Sequence, residues 1–212
     1  MNKFPFPILL TLVAGICLAL PQLAKAQALY DNGPSTHSGG SAIGHFIAAD
    51  DFVLGIASVI TGASIDMEDG PPSMNRRWDG TVQWWILDDN AGTPGAVIAS
   101  GSGQNIIQSV RQEDSLGFRE ITVTFNFGQS IHIARSKTFW LALHFQADFS
   151  RLSVFWDFTA TIKHNAAFSG GELIDGAPNF NGVYSNSSAY DKAFRLFGYE
   201  EWSSEPYTGR RR

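Results

Sequence analysis

From residue 121 to residue 127 the apolar side chains Ile121, Val123, Phe125 and Phe127 take every second position, with Thr122, Thr124 and Asn126 between them. A period of two places one set on each face of an extended strand, the mark of a strand with one buried face. Residues 138–145 repeat the pattern, with Phe139, Leu141, Leu143 and Phe145 on one face. Residues 81–87 set Val82, Trp84 and Ile86 against Gln83, Trp85 and Leu87. Apolar stretches at 46–54 and 59–65, then Val154, Trp156 and Phe158, and finally Phe194 and Leu196, supply further strands. No window of a dozen residues keeps the 3.6-residue period of an amphipathic helix. Residues 105–114 fit either a short helix, with Ile106 and Val110 one turn apart, or a strand with Ile106, Gln108 and Val110 on one face; the strand is preferred. Eight or so short strands, separated by Gly, Pro, Asn and Asp clusters, predict an all-β fold: a two-sheet antiparallel sandwich, jelly-roll-like in its connections. Residues 27–41 read as a turn-rich lead-in, 27–199 as the β-sandwich domain and 200–212 as a loose tail.

The first 26 residues follow another rule. Lys3 precedes an apolar block from Ile8 to Leu20, and Ala24-Lys25-Ala26 closes it. A charged start, a short apolar middle and an A-x-A site make a secretory signal peptide, and the block is too short to span a bilayer. The expected product is a secreted protein, extracellular or periplasmic, with no membrane span after cleavage. Its only cysteine, Cys17, lies in the leader, so the mature chain folds without a disulfide. Ile16 stands directly before that cysteine, where a lipoprotein signal carries a small residue, which argues against lipidation. The 212-residue chain has formal charge −5; losing the leader's two lysines moves it to −7. An acidic chain without a basic stripe excludes nucleic acid as a natural partner. A mature domain of this size can bury enough surface to need no staple.

The common catalytic signatures G-x-S-x-G, H-E-x-x-H and G-x-x-x-x-G-K-[ST] are absent. His37, His45, His132, His144 and His164 show no metal-ligand spacing, and His132 and His144 are expected on solvent-facing strand positions. A glycosidase needs two carboxylates across a cleft. Glu68, Asp69, Glu113, Glu120, Asp157 and Glu172 are available, but no pair stands out. The run Asp88-Asp89-Asn90-Ala91-Gly92-Thr93-Pro94-Gly95 reads as a strand-joining turn, with calcium binding as the alternative. No other cofactor or metal is expected. The tryptophans are the stronger lead. Trp84 and Trp156 fall on inward faces, whereas Trp85 and Trp140 fall opposite, and Trp78 sits in a loop. Outward rings of this kind can stack on sugars or anchor a protein. Trp78, Trp85, Trp140 and Tyr184 are therefore the candidate ligand-binding residues. The competing reading makes the rings a second core beneath the segment from the 160s to the 180s, whose stretch from Gly170 to Tyr184 could itself be that cover or a binding loop.

Taken in order, Ala49-Asp50-Asp51-Phe52, Ile60-Thr61-Gly62, Trp84-Trp85-Ile86 with the Asp89–Gly95 turn, Phe139-Trp140-Leu141-Ala142-Leu143, Trp156-Asp157 and Ala193-Phe194-Arg195-Leu196-Phe197-Gly198 resemble bacterial secreted β-sandwich domains. These are of the kind often found in PEP-CTERM-type sorted proteins, mostly without assigned activity. The likeness implies a fold more than a function. No Pro-Glu-Pro signal precedes Arg210-Arg211-Arg212, so release rather than sorting-dependent attachment is expected. The resulting expectation is a secreted, non-catalytic binding module for carbohydrate or another extracellular surface. The alternatives are a structural or interaction protein of the cell envelope, held by a cell-surface protein, and, behind both, a carboxylate-dependent hydrolase.

Overall fold

The computed structural model describes residues 26–71, 77–147, 149, 154–160, 162–182 and 185–201. All but the last residue of the expected leader, Tyr184, and the tail from 202 onward lie outside these. The elements are β1 (Gln27–Asp31), β2 (Ser35–Ala42), β3 (Ile47–Val53), β4 (Ser58–Asp69), β5 (Gln83–Asp89), β6 (Pro94–Ser102) and β7 (Gln104–Glu113). They continue as β8 (Arg119–Ile133), β9 (Thr138–His144), β10 (Val154–Thr159), β11 (Phe168–Ile174), β12 (Ala177–Asn179), β13 (Asn186–Ser187) and β14 (Phe194–Glu200). Every strand pairing is antiparallel.

Two seven-stranded sheets form. In the first, β4 is the central strand. It pairs with β8 along its whole length, and its other side is shared by β14 near the start and β10 near the end. β1, β2 and β7 extend β14, β10 and β8 outward. The second sheet runs β12-β11-β3-β9-β5-β6, with β13 also on β11. The chain crosses repeatedly from sheet to sheet, and the fold is a two-sheet, jelly-roll-like β-sandwich, all-β as the alternation predicts.

The alternating residues meet between the sheets. Ile121, Val123, Phe125 and Phe127 of β8 pack against Phe139, Leu141 and Leu143 of β9, with Trp84, Trp156 and Phe145 in the same core. Edge-to-face ring pairs, such as Phe125 with Phe127 at 5.8 Å and 80°, fill it. Residues 104–113 are strand β7, not helix. The lead-in differs from its expected turn-rich form: residues 27–31 and 35–42 are strands β1 and β2. The Gly- and Ser-rich β2 hides the alternation, and the two strands bring only Tyr30, with Leu29 partly buried beside it, to the core from among their large side chains. At the β14 bulge the chain comes so close to β4 that a Cβ on Gly198 would stand 1.9 Å from the Val59 carbonyl oxygen, so only glycine fits.

Candidate functional site

The outward side of the second sheet is not open to water. Ile47 and Ala49 of β3, Trp85 and Leu87 of β5, and Trp140 and Ala142 of β9 form a second buried cluster. Phe149, Phe168 and Phe180 pack over it. Trp140 is 0% exposed and Trp85 4%. Each indole N–H is used internally: Trp140 Nε1 donates to Asp89 Oδ1 at 2.9 Å, and Trp85 Nε1 to the Gly176 carbonyl at 3.4 Å. The structure therefore puts both rings in a second core under the late segment, where their faces offer no area for a sugar to stack upon. Trp78 lies elsewhere, at the edge of the inner core. It is 7% exposed, stacks on Phe145 at 5.3 Å and donates from Nε1 to the Thr81 carbonyl at 2.7 Å. These three tryptophans form no exposed patch, and Tyr184 lies outside the described residues. The cover also explains His144: it is fully buried, with its ring stacked on Phe149 at 3.8 Å, because the outward face of β9 meets protein rather than solvent.

A buried polar network ties this cover to the sandwich. Asn165, in the late segment, donates from its backbone N–H and from Nδ2 to Asp51 Oδ2, at 3.1 and 2.7 Å. The Lys163 N–H donates to Asp191 Oδ2 at 2.5 Å. On the inner side of β3, Asp50 Oδ2 accepts from Asn32 Nδ2 at 2.9 Å and from the Lys192 N–H at 2.6 Å. Burial pushes Asp51 up to about 6 and holds Asp50 well above the usual carboxylate range. Burial also pushes the Lys192 ammonium down to about 8. That ammonium lies 4.2 Å from the Phe158 ring centroid. The sequence signal for this network was the Asp50-Asp51 pair inside an otherwise apolar strand, since buried acids need partners.

Where the cover ends, it leaves a cleft. The turn Asp88-Asp89-Asn90 with Pro94, Gly95 and Ala96 forms one wall, and residues 178–181 form the other, enclosing about 490 Å³. The turn is rigid. Asn90 and Thr93 exchange backbone hydrogen bonds at 2.9 and 3.2 Å, and both Asp89 oxygens accept the Gly92 N–H at 3.2 Å. Lys137 Nζ pairs with Asp88 at 2.8 Å. The opposite wall rests on Phe180, whose ring occupies the space a side chain on Gly171 would need, 2.6 Å from the position of its Cβ. Phe180 meets Phe168 at 6.1 Å, and Phe168 meets Trp140 at 5.6 Å, both edge-to-face, so a ladder of rings runs from the second core to the cleft. Asn90 and Asn181 are exposed, and their side-chain amides make no hydrogen bond among the described residues. The cleft thus presents free amide donors and acceptors and carboxylates beside an anchored aromatic ring. Among the described residues, no group of three or more His, Cys, Asp or Glu side chains is arranged to hold a metal ion.

The outward side of the first sheet has the opposite character. Ser35 and His37 of β2, Asp66 and Glu68 of β4, Arg111 of β7, Glu120 of β8 and Asp157 of β10 share it. Ser35 Oγ donates to Asp157 Oδ2 at 2.9 Å, and Arg111 lies 3.6 Å from Asp66 and 3.8 Å from Asp157. His37 holds a positive φ of 54°, and its Nδ1 lies 3.2 Å from both Ser35 Oγ and Glu120 Oε2. A Ser-His-acid relay needs the two ring nitrogens to serve the two partners separately, so Ser35 is not activated in that way.

Comparison with protein-family models, with curated proteins and with solved structures gives no match. Among the described residues no helix is long and apolar enough to cross a membrane.

Proposed function

We propose that this chain is an exported carbohydrate-binding β-sandwich that takes its ligand in the cleft between the Asp88–Ala96 turn and residues 178–181. The single observation that carries the reading is the lining of that cleft. Unpaired amides of Asn90 and Asn181, the Asp88 carboxylate and the Phe180 ring converge on a concavity of about 490 Å³. Sugar hydroxyls each donate and accept, so side-chain amides and carboxylates match them, while an aromatic ring covers the apolar C–H face. Export agrees with the leader read from residues 1–26, and extracellular surfaces are where such ligands lie.

The test is retention on immobilised polysaccharides. Binding by the exported chain, weakened at least tenfold in Asn181→Ala and Phe180→Ala but unchanged in Ile107→Ala, an exposed residue on β7 of the other sheet, supports the cleft. Retention on purified cell-surface protein and on no glycan would replace this reading with that of an envelope interaction protein. N-terminal sequencing of the exported protein should begin at Gln27.

A further inference from the structure

Sequence alone could bring no two carboxylates together; the first sheet does. Phe155 of β10 stands opposite Glu68 of β4 in the antiparallel ladder. Asp157, two residues further along β10, shares the outward face with them. Diagonal neighbours on one face of such a ladder have Cα atoms ~7–8 Å apart, so both side chains reach one groove. An inverting glycosidase holds its two carboxyls ~6.5–9.5 Å apart, with room for a water on the far side of a sugar ring, and two acids so placed can span that separation. The two acids do not lie on a flat surface. With Gly39, Gly40 and the half-buried Phe155, which is paired opposite Glu68, they line a groove of about 180 Å³.

We propose that this groove is a glycoside-hydrolysing site, with Asp157 as the proton donor, Glu68 as the base and a neutral polysaccharide as the substrate. The site is separate from the cleft on the other sheet and shares with that reading only the class of ligand. Asp157 passes its proton to the glycosidic oxygen as the bond from that oxygen to the anomeric carbon breaks. Glu68 takes a proton from the water that attacks the anomeric carbon from the opposite side. One water is added across the bond, the product anomer is inverted, and proton exchange with solvent returns both carboxyls to their starting states.

The surroundings assign the roles. Asp157 is 4% exposed, Ser35 holds its Oδ2, and Oδ1 accepts no hydrogen bond among the described residues. Burial, with Glu68 nearby, pushes this acid up to about 7, which keeps it protonated under mildly acidic conditions. Glu68 is half-buried, and its carboxyl is raised by burial and by Glu120. The groups facing the pair are Ser35 and His37 from β2, Asp66 from β4, Arg111 from β7 and Glu120 from β8. With Asp157 protonated, the three carboxylates of Asp66, Glu68 and Glu120 against one guanidinium and one imidazole repel acidic sugars, which is why the substrate is neutral.

The experiment is reducing-end release from amylose, β-glucan and xylan, with polygalacturonate as the acidic control. The exported chain should release ends from at least one neutral polymer and none from polygalacturonate. Asp157→Asn and Glu68→Gln should each lower the rate by about 10²–10⁴-fold while the far-ultraviolet circular dichroism of the folded chain is retained. NMR of the first product should show the inverted anomer, and the rate should fall as pH rises through about 7, the pH at which Asp157 loses its proton. Phe180→Ala, which tests the cleft, should leave hydrolysis of the soluble polymers intact. Failure to cut any of the three neutral polymers, or full activity in either carboxylate variant, overturns the proposal. Glycan retention without cleavage would overturn it and leave the cleft reading standing.

Discussion

On β9, Trp140, Ala142 and His144 point away from the sandwich interior and are fully buried; on β4, Asp66 and Glu68 also point away and keep access to water. The two outer faces come from the same strand geometry and end in opposite environments. What separates them is the outward row itself. On the second sheet, three adjacent strands contribute Ile47, Ala49, Trp85, Leu87, Trp140 and Ala142, an apolar surface buried beneath Phe149, Phe168 and Phe180. On the first sheet the outward row is Ser, Thr, Asp and Glu, which water or a polar ligand satisfies. The late segment therefore extends the second sheet from β3 and folds back over its outward face, while the first sheet's face has no such cover; each candidate site lies where a face opens: the cleft at the margin of the cover, the groove where there is none.

The largest test of this asymmetry is Trp140→Ala. It empties a fully buried site and removes the bond to Asp89, so it should cost about 3–5 kcal/mol, read as a shift of the denaturant midpoint. Ile107→Ala on β7, a residue 66% exposed on the uncovered side, should stay within about 0.5 kcal/mol. Equal costs would mean that the outer layer does not hold the second core. The next effect is a pH slope. Asp157 sits at about 7 in the folded protein against 3.8 in the unfolded chain, so between these values the folded state binds more protons. Its contribution to stability is thus greatest below pH 4 and declines as pH rises towards 7, by up to about 4 kcal/mol. Asp157→Asn should flatten that part of the profile. Asp51, at about 6 beneath the cover, adds a smaller slope of the same sign. A third, smaller effect belongs to the cover itself. Phe180→Ala should cost about 1–2 kcal/mol and increase acrylamide quenching of tryptophan fluorescence, because the ring ladder over Trp140 loses its outer rung.

Strand alternation made the inner core legible almost residue by residue. Val82, Trp84 and Ile86 separate from Trp85 and Leu87 as the period of two requires, and Phe139, Leu141 and Leu143 from Trp140. Of the two early strands, β2 was hidden because Gly and Ser carry no apolar signal. The environment of the outward tryptophans was undecidable from β5 and β9 alone, since it depends on where a segment some 30 to 90 residues later lies. The cleft was legible in halves: the Asp88–Gly95 turn and the Asn-rich stretch near 180 both stood out, but nothing local placed one against the other. The Glu68–Asp157 pair depends on a register between β4 and β10, and long-range register leaves no trace in either strand's own sequence.

The finest test lies on the bare face. Arg111 is 31% exposed and stands 3.6 Å from Asp66 and 3.8 Å from Asp157. Exposed pairs contribute little, and this one is partly screened, so Arg111→Ala should cost about 0.2–1 kcal/mol. Its pH dependence identifies the partner. At pH 8 Asp157 is ionised and loses a countercharge when the guanidinium goes. At pH 5 Asp157 is protonated, and only the contact with Asp66 remains to be lost. A double-mutant cycle of Arg111→Ala with Asp157→Asn should therefore show a coupling at pH 8 that shrinks towards zero at pH 5. A coupling that does not change with pH would place the charge of Asp157 elsewhere in its titration, and with it the division of labour between the two carboxylates of the groove.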